Sequence, residues 1–230
     1  MRLPKKPFLH LASSLLLLSV GAGGYWIYSQ SPSRVLYEAA LAAYDRQDLQ
    51  AVVGLIQGKE RTLLRYEEGC PLMVSTYARL EKLPELASTA WLCIEAKQNL
   101  DVAFDGYAKS LMQQSKIPLA IEQLTAHLPK AATYRQLATL ANLELLRGNL
   151  PAARGLFLQV VAKADVWSMY VGRILKSPTL PQDATFIDSL VEIVSKKKAV
   201  VLEVEGPLQK KAAEYKLDAA VQKLAQRQGG

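Results

Sequence analysis

Between Tyr134 and Asp165 the apolar positions form two stripes at helical spacing. Leu137, Leu140 and Ala141 precede the turn Arg147-Gly148-Asn149-Leu150, and Ala153, Phe157, Val160 and Val161 follow it. Apolar residues three and four apart share one face of a helix, so the pattern predicts a helical hairpin closed by a glycine turn. The second stripe recurs upstream at a constant interval. Ala120-Ile121 with Leu124 and Leu128 stands one step before Ala153, and Ala87 with Trp91 and Ile94 stands an equal step before that. Ala51-Val52 with Leu55 and Ile56, preceded by Tyr37, Ala40, Leu41 and Tyr44, fits one step further back at a slightly longer offset. Pro84, Pro118 and Pro151 stand at the equivalent start of three second helices, where a residue lacking an N–H is tolerated.

A hairpin with one apolar stripe per helix cannot bury its faces alone and must stack on copies of itself. The period, about 33 residues, with small residues at Ala141 and Ala153 and the large Phe157 four positions later, resembles that of the tetratricopeptide repeat. The resemblance covers roughly residues 34–165 and is strongest around Gly148-Asn149-Leu150, Ala153 and Phe157. It implies a TPR-like α-solenoid of about four helical hairpins, placed over residues 34–176; with an N-terminal transmembrane helix before it and C-terminal helices over residues 177–230, both read from the residues themselves, the expected fold class is all-α. The family lines a groove with the first helix of each hairpin. Carried onto this chain, that places Asp105, Lys109 and Met112 of the third unit and Arg135, Asn142 and Leu145 of the fourth in a partner-binding groove. Ala138 and Asp105 stand where a carboxylate clamp would need lysine, so the resemblance implies a protein surface or helix as guest.

Residues 1–33 have a different pattern. Arg2, Lys5 and Lys6 precede an uncharged run from Pro7 to Ser33, whose apolar heart runs from Phe8 to Tyr28. About 20 apolar residues cross the hydrocarbon as a helix, and this stretch is long enough. Phe8, Leu15 and Leu18 would lie in lipid, with Tyr25, Trp26 and Tyr28 as an interfacial aromatic belt. Basic residues on the N-terminal side place that end in the cytoplasm and the repeats on the exported side, in the periplasm of a bacterial inner-membrane protein with a single pass. Val20-Gly21-Ala22 offers the rival reading of a cleaved signal peptide, but the apolar run continues past it through aromatic residues.

Cys70 and Cys93 are the only cysteines, and an antiparallel hairpin of residues 71–82 and 84–97 brings them within about a helical turn. In an oxidising compartment the expectation is a disulfide. Beyond the fourth hairpin, residues 166–175 form a short helix, Ala184 to Val194 an amphipathic helix capped by Asp183, and Leu208 to Arg227 a final helix after a Gly206-Pro207 break. Val200 to Val204 would lack a partner as a strand, and Lys196-Lys197-Lys198 reads as a solvated charge run.

The net charge of +7 argues little for nucleic acid. Residues 1–33 carry +3 and residues 196–230 carry +4, while residues 34–195 hold 17 cations and 17 anions, so the repeats are neutral. Histidine occurs only at His10 and His127, which leaves neither a triad nor a metal site. Nothing in the pattern calls for an enzyme, a cofactor or a small-molecule substrate. The expected role is a scaffold or assembly subunit of an envelope complex of the secretion, pilus or flagellar type, working through other envelope proteins. A periplasmic chaperone for exported chains near the translocon is the alternative.

Overall fold

The computed structural model describes residues 31–180 and 182–229, which form thirteen α-helices and no strand. The expected membrane anchor, with Phe8, Leu15, Leu18, Tyr25, Trp26 and Tyr28, lies outside the described residues; among those described, no helix is long and apolar enough to cross a membrane. In chain order the helices are α1 (Pro32–Asp45), α2 (Leu49–Ile56), α3 (Glu60–Leu63), α4 (Gly69–Arg79), α5 (Leu83–Glu95), α6 (Leu100–Gln113) and α7 (Ile117–Ala126). They continue with α8 (Tyr134–Arg147), α9 (Leu150–Lys163), α10 (Trp167–Lys176), α11 (Ala184–Ser195), α12 (Leu202–Glu214) and α13 (Asp218–Gln228).

Setting aside the single-turn α3, these are six successive helix pairs. Their second helices begin at Leu49, Leu83, Ile117, Leu150, Ala184 and Asp218, a nearly constant spacing throughout. One turn joins five of the pairs. Gln47, Glu81, Ser115, Gly148 and Lys216 all adopt left-handed φ, between 53° and 82°. After each, the next N–H reaches back to a helical carbonyl: Asp48 to Ala43, Lys82 to Tyr77, Lys116 to Leu111, Asn149 to Glu144 and Leu217 to Ala212, at 2.8–3.1 Å. That bond satisfies a carbonyl which a helix end otherwise leaves open. The turn sets the two helices of each pair side by side, and Pro84, Pro118 and Pro151 follow it in the first turns of α5, α7 and α9.

The principal contacts join helices that are neighbours or next neighbours among these pairs. Side-chain hydrogen bonds repeat the same interval. Tyr66 donates to Ser33 at 3.1 Å, Thr133 and Gln136 donate to Asp101 at 2.7 and 2.8 Å, and Lys163 donates to the Ala132 carbonyl at 2.8 Å. Each links residues about one repeat apart in sequence. Two buried apolar clusters result, one from Ala40 to Leu143 and one from Ala132 to Leu224, with Leu128 and Leu156 packed against both. They meet in α8, whose Leu140 and Leu143 face the first cluster and whose Leu137 and Ala141 face the second.

Several local expectations change. Ser31-Pro32-Ser33, which reads in the sequence as a short linker ending the anchor, is the cap and first turn of α1, Ser31 accepting from the Arg34 N–H. The expected disulfide, by contrast, is present: Cys70 and Cys93, both buried with Cα atoms 6.0 Å apart, join the start of α4 to the end of α5. The stretch Leu208 to Arg227 is two helices, because Tyr215-Lys216-Leu217 forms the left-handed turn. Gly206-Pro207 does not break the chain: Pro207 lies inside α12 with the helix extending back to Leu202, and Glu203, whose carbonyl loses the usual partner, is exposed to water. Leu202, Glu203 and Val204 are therefore the first turn of a helix.

Candidate functional site

The first helices of the pairs are α1, α4, α6, α8, α10 and α12. On α6, Asp105, Lys109 and Met112 stand at helical spacing and are exposed. Lys109 donates to the Ala78 carbonyl at 3.5 Å, and Met112 retains 39% of its surface. Asp105 carries exposed surface, yet its carboxyl group is set against α8, where Thr139 donates a hydrogen bond to it. Burial of the carboxyl group raises its pKa above the ordinary range, the Thr139 bond opposes this, and nearby Asp101 adds to the rise. On α8, Arg135 is exposed with its guanidinium 6.0 Å from the Tyr134 ring, Asn142 is exposed, and Leu145 is half-buried.

Asn142 and Leu145 line a cavity of about 120 Å³ between α8 and α10, together with Phe157, Tyr170, Arg173 and Ile174. The other four expected groove residues do not line it. Tyr134 and Tyr170 meet edge to face at 6.0 Å and hold the starts of α8 and α10 apart. The wedge behind these rings is the cavity. Its apolar wall is Phe157, Ile174 and Leu180, and its polar edge is Asn142 and Arg173. Such a space accepts one apolar or aromatic side chain and offers an amide and a guanidinium to the backbone that carries it.

Tyr170, Arg173 and Ile174 escaped the site reading because residues 166–175 look like a terminal packing helix, and Leu180 because the stretch from Ser177 to Gln182 looks like a linker. The signal that locates them is spacing. Ala184 follows Leu150 by the same interval that separates Leu83 from Leu49, so the helix before Ala184 occupies a first-helix position. The triple lysine is not wholly solvated either. Lys197 donates to the Ala162 and Ala164 carbonyls at 2.7 and 3.4 Å, and desolvation there lowers its pKa. Lys196 pairs with Glu192 at 2.9 Å.

A second polar device closes the chain's last pair. Glu205 is fully buried, accepts from the Val201 N–H at 3.1 Å, and is paired with Arg227 at 3.0 Å. Arg227 also donates to the carbonyls of Ser195, Lys197 and Ala199, tying α13 to the connection between α11 and α12. Among the described residues no group of three histidine, cysteine or acidic side chains is placed to hold a metal. His127 packs its ring 4.6 Å from Trp91. Compared with known proteins, the chain matches no family model and no curated sequence.

Proposed function

We propose that this chain is a membrane-anchored, TPR-like α-solenoid that serves as a scaffold or assembly subunit of a cell-envelope protein complex. The observation that carries the reading is the regular stack. Six helix pairs at a nearly constant spacing, five of them closed by one repeated turn, with an open cavity between the first helices α8 and α10, support it. Stacks of this kind bind other proteins along their length. The uncharged run from Pro7 to Ser33, with Arg2, Lys5 and Lys6 before it, supports a single-pass anchor with the repeats on the exported side of a bacterial inner membrane. The Cys70–Cys93 pair agrees with an oxidising compartment. The partners are other envelope proteins, held through the α6, α8 and α10 faces.

The test is extraction of the full chain in mild detergent at its natural abundance, followed by quantification of what co-purifies. A scaffold yields one or a few proteins at a constant ratio. A broad set of exported proteins, each far below one copy per chain, indicates the chaperone instead, and recovery of the bare chain overturns both.

A further inference from the structure

The structure leaves an apolar region uncovered beside positive charge that forms no ion pair among the described residues. Val166 and Met169 at the start of α10, and Val200 and Leu202 at the start of α12, are all exposed, Met169 by 43% and Leu202 by 62%. Met169 lines a groove of about 490 Å³ between α10 and α12, while Val166, Val200 and Leu202 lie within two residues of its lining in sequence, and a second hollow of about 200 Å³ continues it toward Pro207 and Lys211. Gly172 and Val204 line both, so the two are one surface. Gly172 leaves the floor low, since a Cβ there would only reach ordinary contact with Val204 at 3.5 Å.

The charge of this groove is one-sided. Arg173 and Lys176 project from α10 into it and form no ion pair among the described residues. Lys211 stands at the far end, held to Glu214 at 2.8 Å. Among the described residues Glu203 is the only carboxylate lining either hollow. Glu205, on the same helix, is buried and neutralised by Arg227. Arg173 also borders the α8/α10 cavity, which makes the groove continuous with the candidate site.

We propose that the α10/α12 groove docks an acidic amphipathic segment of a partner protein. Apolar side chains of that segment seat over Met169, Gly172 and Val204, and its carboxylates meet Arg173 and Lys176. From Ser168 to Lys176 the groove follows α10 for ~12 Å, enough for about two turns of a docked helix. A recessed apolar floor with cations along one edge fits a segment having one apolar and one acidic face, which a flat lipid surface cannot offer. This inference rests on the scaffold reading and names the chemistry of the partner.

The experiment uses the full chain in phosphatidylcholine nanodiscs. A fluorescent peptide of about twelve residues, helical, with leucines on one face and glutamates beside them, is titrated against it, and a second peptide carries lysines in place of the glutamates. The glutamate peptide binds about tenfold or more tightly than the lysine peptide, and the preference weakens as salt is raised. Combined R173E and K176E substitutions reverse the preference, and Gly172→Leu, which fills the floor, weakens both peptides while the melting temperature is retained. Equal binding of the two peptides, no binding of the glutamate peptide, or indifference to the charge reversal overturns the proposal. So does flotation with phosphatidylglycerol vesicles, or self-association in sedimentation, that the same substitutions abolish without any peptide binding. If the peptide fails while a natural partner still co-purifies at constant ratio, the groove is discarded and the scaffold stands; loss of that constant ratio discards the scaffold.

Discussion

The two halves of the stack are packed by different helices. Up to the fourth pair, the first helices lie against one another in sequence, α1 on α4, α4 on α6 and α6 on α8. From the fourth pair onward the second helices also stack, α9 on α11 and α11 on α13, while α8 and α10 make no principal contact and α10 meets α12 more lightly. Side-chain size explains the change. At Gly106 of α6 an added Cβ would stand 2.6 Å from Val74 of α4 and 3.3 Å from Leu86 of α5, so glycine sets the close approach. Where α10 comes next to α8, Tyr170 and Tyr134 stand between them. The same architecture is closed by a glycine and opened by a tyrosine, and the opening is where Asn142 and Leu145 find a cavity.

The largest expected effect tests the last pair. Arg227→Met leaves the Glu205 carboxylate buried without its partner, and breaking a buried ion pair from one side costs about 3–5 kcal/mol. Hydrogen exchange is expected to rise in α11 to α13 while α4 to α6 keep their protection, because stacked pairs depend chiefly on their neighbours. A loss spread evenly over the chain would show the halves to be one cooperative unit. Reduction of Cys70–Cys93 is the counterpart in the first half, with an expected loss of about 3 kcal/mol in denaturant unfolding, confined to α4 through α6.

Glycine substitutions then sharpen the contrast. Gly106→Ala forces Val74 aside and is expected to cost about 1–3 kcal/mol, whereas Gly155→Ala in α9, where a Cβ meets nothing within 4 Å, is expected to stabilise by about 0.5–1 kcal/mol. Similar melting temperatures for the two variants would refute the packing account.

The smallest effect is electrostatic. Glu192 of α11 accepts from Lys223 and pairs with Lys196, which lowers its pKa from 4.5 to about 2. Because the folded-state value is depressed, its contribution to stability is complete above the ordinary value and fades as pH falls from 4.5 toward 2. Carboxyl-carbon NMR of the wild type and of Lys223→Met measures this directly: the variant titrates at higher pH, and an unmoved midpoint would place the cause elsewhere.

Much of this fold is written in local chemistry. The stripes around Leu137 and Phe157, the prolines at 84, 118 and 151, and the caps at Asp48 and Asp183 are one-residue signals, and helices appear where they point. The disulfide was legible because a hairpin makes its two ends meet. The later turns were harder to read. Four of the five left-handed turn positions hold Gln47, Glu81, Ser115 and Lys216 in place of glycine, so the stack's own packing enforces a conformation that the residue does not announce. The pair formed by α12 and α13 was hidden in this way. Of the cavity's lining, Asn142 and Leu145 were named only through the resemblance to a repeat family, whereas Tyr170 and Arg173 depend on how far α10 stands from α8, a distance fixed by packing.

The most direct measurement places a photo-reactive amino acid at Asn142, at Met169 and at Leu119, one per chain, in cells that express the protein at its natural level. Leu119 is exposed on the second helix α7 and lines neither the α8/α10 cavity nor the α10/α12 groove. The account predicts one discrete adduct of the same partner from Asn142 and Met169 and none from Leu119. An adduct from Leu119 alone, or a smear of many proteins from all three positions, would contradict it.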